Sequence, residues 1–197
     1  MDGSPSAQEC WQHVLIVGGG ASGVLMAAHL LDAGDPRMRV TIIEHGLMLG
    51  CGIAYGTTHP AHLLNTRVAQ MSAFPERPDH FATWLAQTGR QATDHCFVDR
   101  ATYGQYLGDL LGPWRHGPDA GRLRCVQGSC TSLRETDTGI IARLDDGSAV
   151  PADAAILATG HAVPTDPEPP LRGSWDFLAP ADPDATFAII GTGLSMV

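Results

Sequence analysis

Lysine is missing from this sequence. All twelve basic residues are arginine, against twenty-one aspartate and glutamate residues, and the formal net charge is −9. Without lysine, these 197 residues can form neither a Schiff base nor the lysine contact of a phosphate-binding P-loop. A chain this acidic also lacks the basic face that binds a nucleic-acid backbone, so we expect no nucleic-acid partner.

Long hydrophobic runs are also absent. No stretch approaches the about 20 apolar residues that cross a bilayer. Residues 1–5 carry none of the positive charge that begins a signal peptide. We therefore expect no membrane partner and a cytoplasmic location.

Metal-binding and disulfide patterns are lacking too. The five cysteines are odd in number and contain no Cys-x-x-Cys pair, which predicts neither a zinc site nor a complete disulfide framework. The nine histidines show no metal-ligand spacing of the His-x-x-x-His kind. We assign no residue to a metal.

Glycine is abundant and forms a fingerprint near the start. A continuous apolar run at residues 13–17, typical of a buried parallel strand, leads into Gly-x-Gly-x-x-Gly and then into a helical pattern. Gly18 allows the tight turn, Gly20 lets the backbone approach a pyrophosphate, and Gly23 lets the helix pack closely on the sheet. The N–H groups at the start of the helix face the phosphates. The predicted phosphate-binding residues are Gly18, Gly20, Ala21, Ser22 and Gly23.

An acidic residue completes this first unit. A second apolar strand ends at Glu44, 21 residues after Gly23, close to the about 20 expected of a carboxylate that accepts hydrogen bonds from an adenosine ribose. The same position also suits a solvated carboxylate at a strand end. Acid here favours FAD or NAD over NADP, whose 2′-phosphate it would repel.

The later part of the sequence distinguishes an FAD-binding protein from an NAD-binding one. Residues 123–133, 139–144 and a further short strand after the turn at 145–148 predict a three-stranded antiparallel meander. A buried strand at 154–158 follows, and it ends in Thr159 and Gly160. This order resembles that of flavoproteins with two dinucleotide-binding domains. It therefore favours an α/β fold in which a Rossmann-like FAD-binding domain with a parallel sheet carries a meander.

Five further blocks occur in the order and spacing of one bacterial family. The chain resembles the FAD/NAD(P)-binding family that includes FAD-dependent urate hydroxylase and aspartate N-monooxygenase, and the resemblance covers nearly all of residues 13–197. The blocks are 50–57, 62–65, 71–73, 81–85 and 100–107.

The resemblance implies an FAD site and a reaction. It places Asn65, Met71 and Ser72 in a loop over the flavin, Thr159 and Gly160 close to the cofactor, and the backbone around Val126 near the adenine. It further implies a monooxygenase in which NAD(P)H reduces the flavin and a small polar molecule is hydroxylated. Without the resemblance, the residues at 65–72 are ordinary loop residues, although long connections in compact domains are often functional.

Aromatic and leucine residues of the middle blocks fall at helical spacing. Such spacing predicts packing faces of helices and not substrate contacts. The residues concerned are Phe81, Trp84, Leu85, Tyr103, Tyr106, Leu107 and Leu110.

A second fingerprint stands at the end of the chain. An apolar strand at 187–190 leads into Gly191 and Gly193, which predicts the opening of an NAD(P)-binding unit, although Met196 stands where a third glycine or alanine is usual. A buried strand with a tight glycine turn is the alternative. Because the strand would lack its covering helix, we expect an incomplete protein.

These patterns divide the chain into four parts. We expect a flexible N-terminus at 1–12, an FAD-binding domain at 13–162, a proline-rich crossing segment at 163–185 and the start of an incomplete NAD(P)-binding unit at 186–197. Two alternatives to the monooxygenase stay open, because fold resemblance alone does not decide function. One is a non-catalytic FAD- or nucleotide-binding module, and the other is a flavin dehydrogenase or reductase that uses another acceptor.

Overall fold

A computed structural model describes residues 12–33 and 35–160, together with Asp184 and Thr186. The chain divides into two compact units, Met1–Gly160 and His161–Val197, and every helix and strand given below belongs to the first. The second fingerprint, with Gly191 and Gly193, lies outside the described residues. The predicted boundaries at 12, 162 and 185 therefore stay predictions.

A four-stranded parallel sheet forms the centre of the first unit. Its strands are β1 (His13–Val17), β2 (Arg39–Glu44), β3 (Leu123–Gln127) and β7 (Ala154–Leu157), in the order β3-β2-β1-β7. Helix α1 (Ala21–Asp32) connects β1 to β2 and covers one face of the sheet. That face is apolar because successive strand residues alternate between faces, which sends Ile16 and Ile42 toward α1.

A three-stranded antiparallel sheet covers the opposite face. It consists of β4 (Cys130–Thr136), β5 (Gly139–Leu144) and β6 (Ala149–Ala152). Leu15 and Ile43 of the parallel sheet are buried against Leu144 and Val150 of this meander. The α/β class, the parallel sheet and the separate meander are as the sequence predicted.

One predicted boundary within this region is wrong. The sequence pattern predicted that the meander begins at residue 123. In the structure, Leu123–Gln127 instead pairs in parallel with β2, and Ile42 lies opposite Cys125 and Ile43 opposite Val126. The chain leaves the parallel sheet at Gly128, whose N–H donates to the carbonyl of Glu44 (3.0 Å). The segments before and after Gly128 are both short and apolar enough to be strands. Only the strands with which they pair show the sheet to which each belongs.

The long connection between β2 and β3 carries four helices, α2 (Gly52–Tyr55), α3 (His80–Gln87), α4 (Arg100–Asp109) and α5 (Gly112–His116). The predicted packing faces of α3 and α4 are confirmed. Phe81 and Tyr106 are fully buried, and their ring centroids lie 4.7 Å apart. Leu85, Tyr103, Leu107 and Leu110 are buried in the same core, and Trp84 packs at its edge. None of the helices within the described ranges is long and apolar enough to span a membrane.

A histidine in this aromatic core makes the stability of the fold depend on pH. His80 is half-buried, with Nδ1 2.8 Å from the hydroxyl of Tyr106. Burial lowers the pKa of His80, and the charge of Arg77 lowers it further against opposing contributions from Asp79 and Asp32. As pH falls through about 6.5, the unfolded chain therefore takes up this proton before the folded chain does. Stability from the neutral ring is present above that pH and is lost below it.

We therefore expect the free energy of unfolding to fall more between about pH 7.5 and about pH 5.5 in the wild type than in His80→Gln. Urea unfolding at the two pH values measures this difference. His95→Gln, at an exposed position, is the control and should keep the wild-type slope. An identical pH slope for His80→Gln and the wild type would contradict the expectation.

Candidate functional site

The carboxyl ends of the four parallel strands meet at one edge of the sheet, and hydrogen bonds join the segments that follow them. The N–H of Gly18 donates to the carbonyl of Ile43 (2.9 Å), and the N–H of Ala158 donates to the carbonyl of Val17 (2.8 Å). The crevice outside this edge is where open α/β sheets bind ligands.

Most of the predicted site residues lie at this edge. Glu44 ends β2, and half-buried Val126 lies next to last in β3. Thr159 and Gly160 follow β7 and are exposed. The structure thus brings these four residues to the same edge as the glycine loop that follows β1.

The glycine loop and the start of α1 are closely packed at two positions. A Cβ at Gly23 would lie 1.9 Å from the carbonyl oxygen of Gly18. A Cβ at Gly18, whose φ is +105°, would lie 2.2 Å from the carbonyl oxygen of Ala158. These glycines are therefore required for backbone packing between β1, α1 and the segment after β7.

Gly20 differs from both, because a Cβ there would make only an ordinary van der Waals contact. A Cβ there would have the Cα of Gly52 as its nearest atom, at 3.6 Å. Gly20 caps α1 without a side-chain hydrogen bond, and the first turn contains no acidic residue. Ser22 is exposed and Ala21 is half-buried. A helix start whose first N–H groups have no side-chain cap fits a phosphate group in charge.

Glu44 is held by the backbone on both sides. The N–H of Gly19 donates to Oε2 (2.6 Å) and the N–H of Gly46 to Oε1 (2.7 Å), while His45 Nδ1 lies 2.9 Å from Oε1. Only 13% of the side chain is exposed, so the interpretation of Glu44 as a solvated strand-end carboxylate is wrong. Oε2, which accepts from the N–H of Gly19, has a second lone pair to which a ribose hydroxyl can donate.

A second glycine segment, residues 50–52, lies beside the first. The N–H of Gly50 donates to the carbonyl of Gly19 (2.8 Å), and a Cβ at Gly52 would lie 3.4 Å from the Cα of Gly20. Gly50 and Gly52 have φ of +84° and +50°, conformations that favour glycine. The residue-level prediction missed this segment, and the Gly-x-Gly spacing soon after β2 was the signal that could have found it.

Cys51, between these glycines, is a packing residue. It is buried, and burial raises the pKa of its thiol. A thiol in that state is a poor nucleophile at neutral pH.

The structure does not group Asn65, Met71 and Ser72 with the glycine loop by any hydrogen bond within the described residues. Asn65 is exposed, and its Oδ1 accepts from the hydroxyl of Thr66 (3.3 Å). Met71 is partly buried and packs against the main hydrophobic core. The hydroxyl of Ser72 bonds to main-chain atoms of Phe74 and Arg77, which gives it a role in shaping the loop. Their place over a flavin stays a prediction.

One protein-family model matches most of this chain, including the residues at this edge. A sequence model described as FAD-NAD(P)-binding matches residues 15–162, about three quarters of the chain. The match begins inside β1 and ends just after Gly160, so it contains both glycine segments, the end of β1 and the other three parallel strands. No curated protein matches the chain.

Solved structures share the fold. A complex of OTEMO with FAD and NADP is 19% identical, with a TM-score of 0.55, and the match covers 79% of this chain and 27% of that one. The Diels-Alderase PyrE3 is 16% identical, with a TM-score of 0.52 and coverage of 76% and 32%. A mutant flavin monooxygenase from Stenotrophomonas maltophilia is 18% identical, with a TM-score of 0.53 and coverage of 74% and 37%. The chain thus spans between 27% and 37% of the length of these structures.

Proposed function

Because this chain belongs to the FAD-NAD(P)-binding family, we propose that it is an FAD-dependent oxidoreductase of the monooxygenase type, which uses NAD(P)H to hydroxylate a small polar molecule. The observation that carries the proposal is the start of α1 at Gly20, which has no side-chain cap and whose neighbour across the loop is the glycine backbone of Gly52. Glu44 stands at the adjoining strand end. The solved OTEMO complex, which contains FAD and NADP, supports it by likeness of fold.

In this proposal the cofactor lies along the carboxyl edge of the sheet. The backbone N–H groups of Ala21 and Ser22 hold the pyrophosphate, and Glu44 accepts a hydrogen bond from the adenosine ribose. Val126 lies beside the adenine. Thr159 and Gly160 follow β7 at the end of this edge. Both residues are exposed, so a ligand can lie against them.

The connection at residues 65–72 covers the flavin end. Asn65 supplies an exposed amide, and Met71 supplies an apolar contact at the edge of the core. Ser72 acts on the cofactor indirectly, since its hydroxyl holds the turn that follows. A covering of this kind orients the ring system and excludes water.

Bound FAD would supply the redox chemistry, hydride acceptance from NAD(P)H and electron transfer to dioxygen. The protein's own contribution is position and a dry cavity. We place the reductant's binding unit at Gly191 and Gly193, in residues 186–197. This unit follows the FAD-binding domain at 13–162 and the crossing segment at 163–185.

The proposal places the protein in the cytoplasm. Cys51, Cys96, Cys125 and Cys130 are all free thiols, as expected of a reducing compartment. Its partner is a small-molecule substrate.

Oxygen and cofactor consumption together test the function. The purified protein is incubated with FAD and desalted, and oxidation of NADH or NADPH is then followed alongside dioxygen uptake in the presence of candidate amino acids and purines. Dioxygen uptake that rises with one compound and yields its hydroxylated product supports the monooxygenase. Reduction of an added dye without product hydroxylation points to a reductase. Retained flavin without any NAD(P)H oxidation points to a binding module.

Replacement of Glu44 by glutamine separates its two roles. One amide oxygen remains as an acceptor, but the amide nitrogen cannot accept from either Gly19 or Gly46. We expect the free energy of unfolding without FAD to fall by about 1–3 kcal/mol, the cost of an unsatisfied buried partner. FAD affinity should fall about tenfold besides, because a ribose hydroxyl loses a charged acceptor.

Urea unfolding without FAD and equilibrium titration with FAD measure the two effects. Glu135→Gln, at an exposed position of β4, is the matched control. Unchanged stability in Glu44→Gln would show that the two backbone hydrogen bonds do not hold the loop.

A further inference from the structure

Arginine side chains surround a cavity of about 680 Å³ at the amino-terminal edge of the parallel sheet. This edge is opposite to the glycine loop. His13 and Arg39, the first residues of β1 and β2, line the cavity together with Thr41 of β2 and Arg124 of β3. The full sequence has a formal net charge of −9, so such a concentration of arginine is a local feature.

The four residues lie on one face of the sheet. His13 is in register with Arg39, and Thr41 is in register with Arg124. Because register partners and residues two apart in a strand share a face, all four point the same way. His13 Nε2 and Thr41 Oγ1 lie 2.8 Å apart. The meander covers this face further along the strands, at Leu15 and Ile43.

The charge in this cavity is mainly positive. Arg39 and Arg124 are exposed, and neither forms an ion pair within the described residues. Arg122 also lines the cavity, and its guanidinium donates to the main-chain carbonyls of residues 31, 35 and 38. It is thereby held in place, and the carboxylate of Asp35 is the negative charge that interacts with it. Asp153 is the one carboxylate among the described lining residues.

Asp153 is already engaged by the backbone. Its Oδ2 accepts the N–H groups of Gln12 and His13, both at 2.8 Å, and these hydrogen bonds lower its pKa. Burial lowers the pKa of His13, with Arg39 and Arg124 adding to this effect and Asp153 opposing it. The positive charges of Arg39 and Arg124 therefore act on His13, a residue that lines the cavity.

We propose that this cavity, the amino-edge arginine cleft (His13, Arg39, Thr41, Arg122 and Arg124), is a binding site for a compact polyanion with two or more phosphoryl or carboxylate groups. Guanidinium groups bind both kinds of oxyanion through paired, charge-assisted hydrogen bonds. Arg39 and Arg124 clamp the ligand, while the fixed Arg122 supplies a preorganised charge. The described lining contains no phenylalanine, tyrosine or tryptophan on which a base could stack, which favours a compact anion over a nucleotide.

Calorimetric titration of the 197-residue chain with pyrophosphate and with citrate, at constant ionic strength, tests the cleft. We expect one of the two to bind, and Arg39→Gln and Arg124→Gln each to weaken it by about tenfold or more. Arg134→Gln, an exposed arginine on β4, should bind like the wild type. Tighter pyrophosphate identifies a phosphorylated ligand, and tighter citrate a polycarboxylate.

Pyrophosphate could also bind at the glycine loop, so the titration is repeated in Gly20→Val. Binding that persists in Gly20→Val and moves the ring-proton NMR signals of His13 belongs to the cleft. The proposal is overturned if neither anion binds the wild type. It is also overturned if Arg134→Gln weakens binding as much as Arg39→Gln does, or if Gly20→Val alone abolishes it.

Discussion

Gly20→Val is expected to lose FAD while keeping its fold. The added Cβ meets no atom closer than the Cα of Gly52 at 3.6 Å, an ordinary van der Waals contact. The backbone at Gly20 is extended, which valine adopts readily. The valine methyl groups would stand at the uncapped start of α1, where the pyrophosphate is expected to approach, and would block it. We expect FAD affinity to fall by about 100-fold or more.

Flavin absorbance after incubation with FAD and desalting measures this loss, and urea unfolding without FAD checks the fold. Gly112→Val is the matched control, because it makes the same substitution at the start of another helix, α5, where a Cβ meets no atom within 4 Å. Gly112→Val should retain flavin like the wild type. Normal flavin retention by Gly20→Val would mean that the phosphates do not bind at this helix start.

Gly23→Ala is expected to destabilise the protein severely, although Gly23 belongs to the same fingerprint. The new Cβ would lie 1.9 Å from the carbonyl oxygen of Gly18 and 3.3 Å from Cγ2 of Ile16. Both atoms belong to β1 and its turn, so α1 must move away from the sheet or the turn must distort. We expect a loss of about 3 kcal/mol or more in the free energy of unfolding, the scale of overpacking in a buried core.

Urea unfolding measures this loss without any cofactor. Ser22→Ala, one residue earlier on the exposed side of α1, is the control and should change stability by less than about 0.5 kcal/mol. Full stability of Gly23→Ala would contradict the close approach of α1 and β1. A loss of flavin without a loss of stability would assign Gly23 to the cofactor and not to packing.

The contrast between these two glycines could not be obtained from the motif alone. The fingerprint predicted that Gly20 approaches a ligand and that Gly23 packs, but spacing gives no distances. In the structure, the space at Gly20 depends on Gly52, which is 32 residues away in the sequence. Residues distant in the chain decide whether a glycine is surrounded or open, because the connections between strands bring them together only on folding.

Local patterns determined the elements themselves. The apolar runs of β1 and β2, the helix between them and the packing residues Phe81 and Tyr106 followed from periodicity, which depends only on near neighbours in the sequence. The edge of the sheet that carries Glu44 also followed, because parallel strands joined by right-handed connections place their carboxyl ends together. The FAD-NAD(P)-binding family was indicated by the order of sequence blocks that resemble it.

Tertiary structure alone decided the partners. It assigned residues 123–127 to the parallel sheet. It showed that the carboxylate of Glu44 accepts hydrogen bonds from the N–H groups of Gly19 and Gly46, a role beyond that of a ribose ligand. It also placed Arg39 and Arg124 together at the opposite edge. Each of these outcomes depends on which strands lie side by side, and strand pairing is set by the burial of the whole core. A local pattern determines that a segment is a strand, but its neighbours are selected by the packing of distant residues.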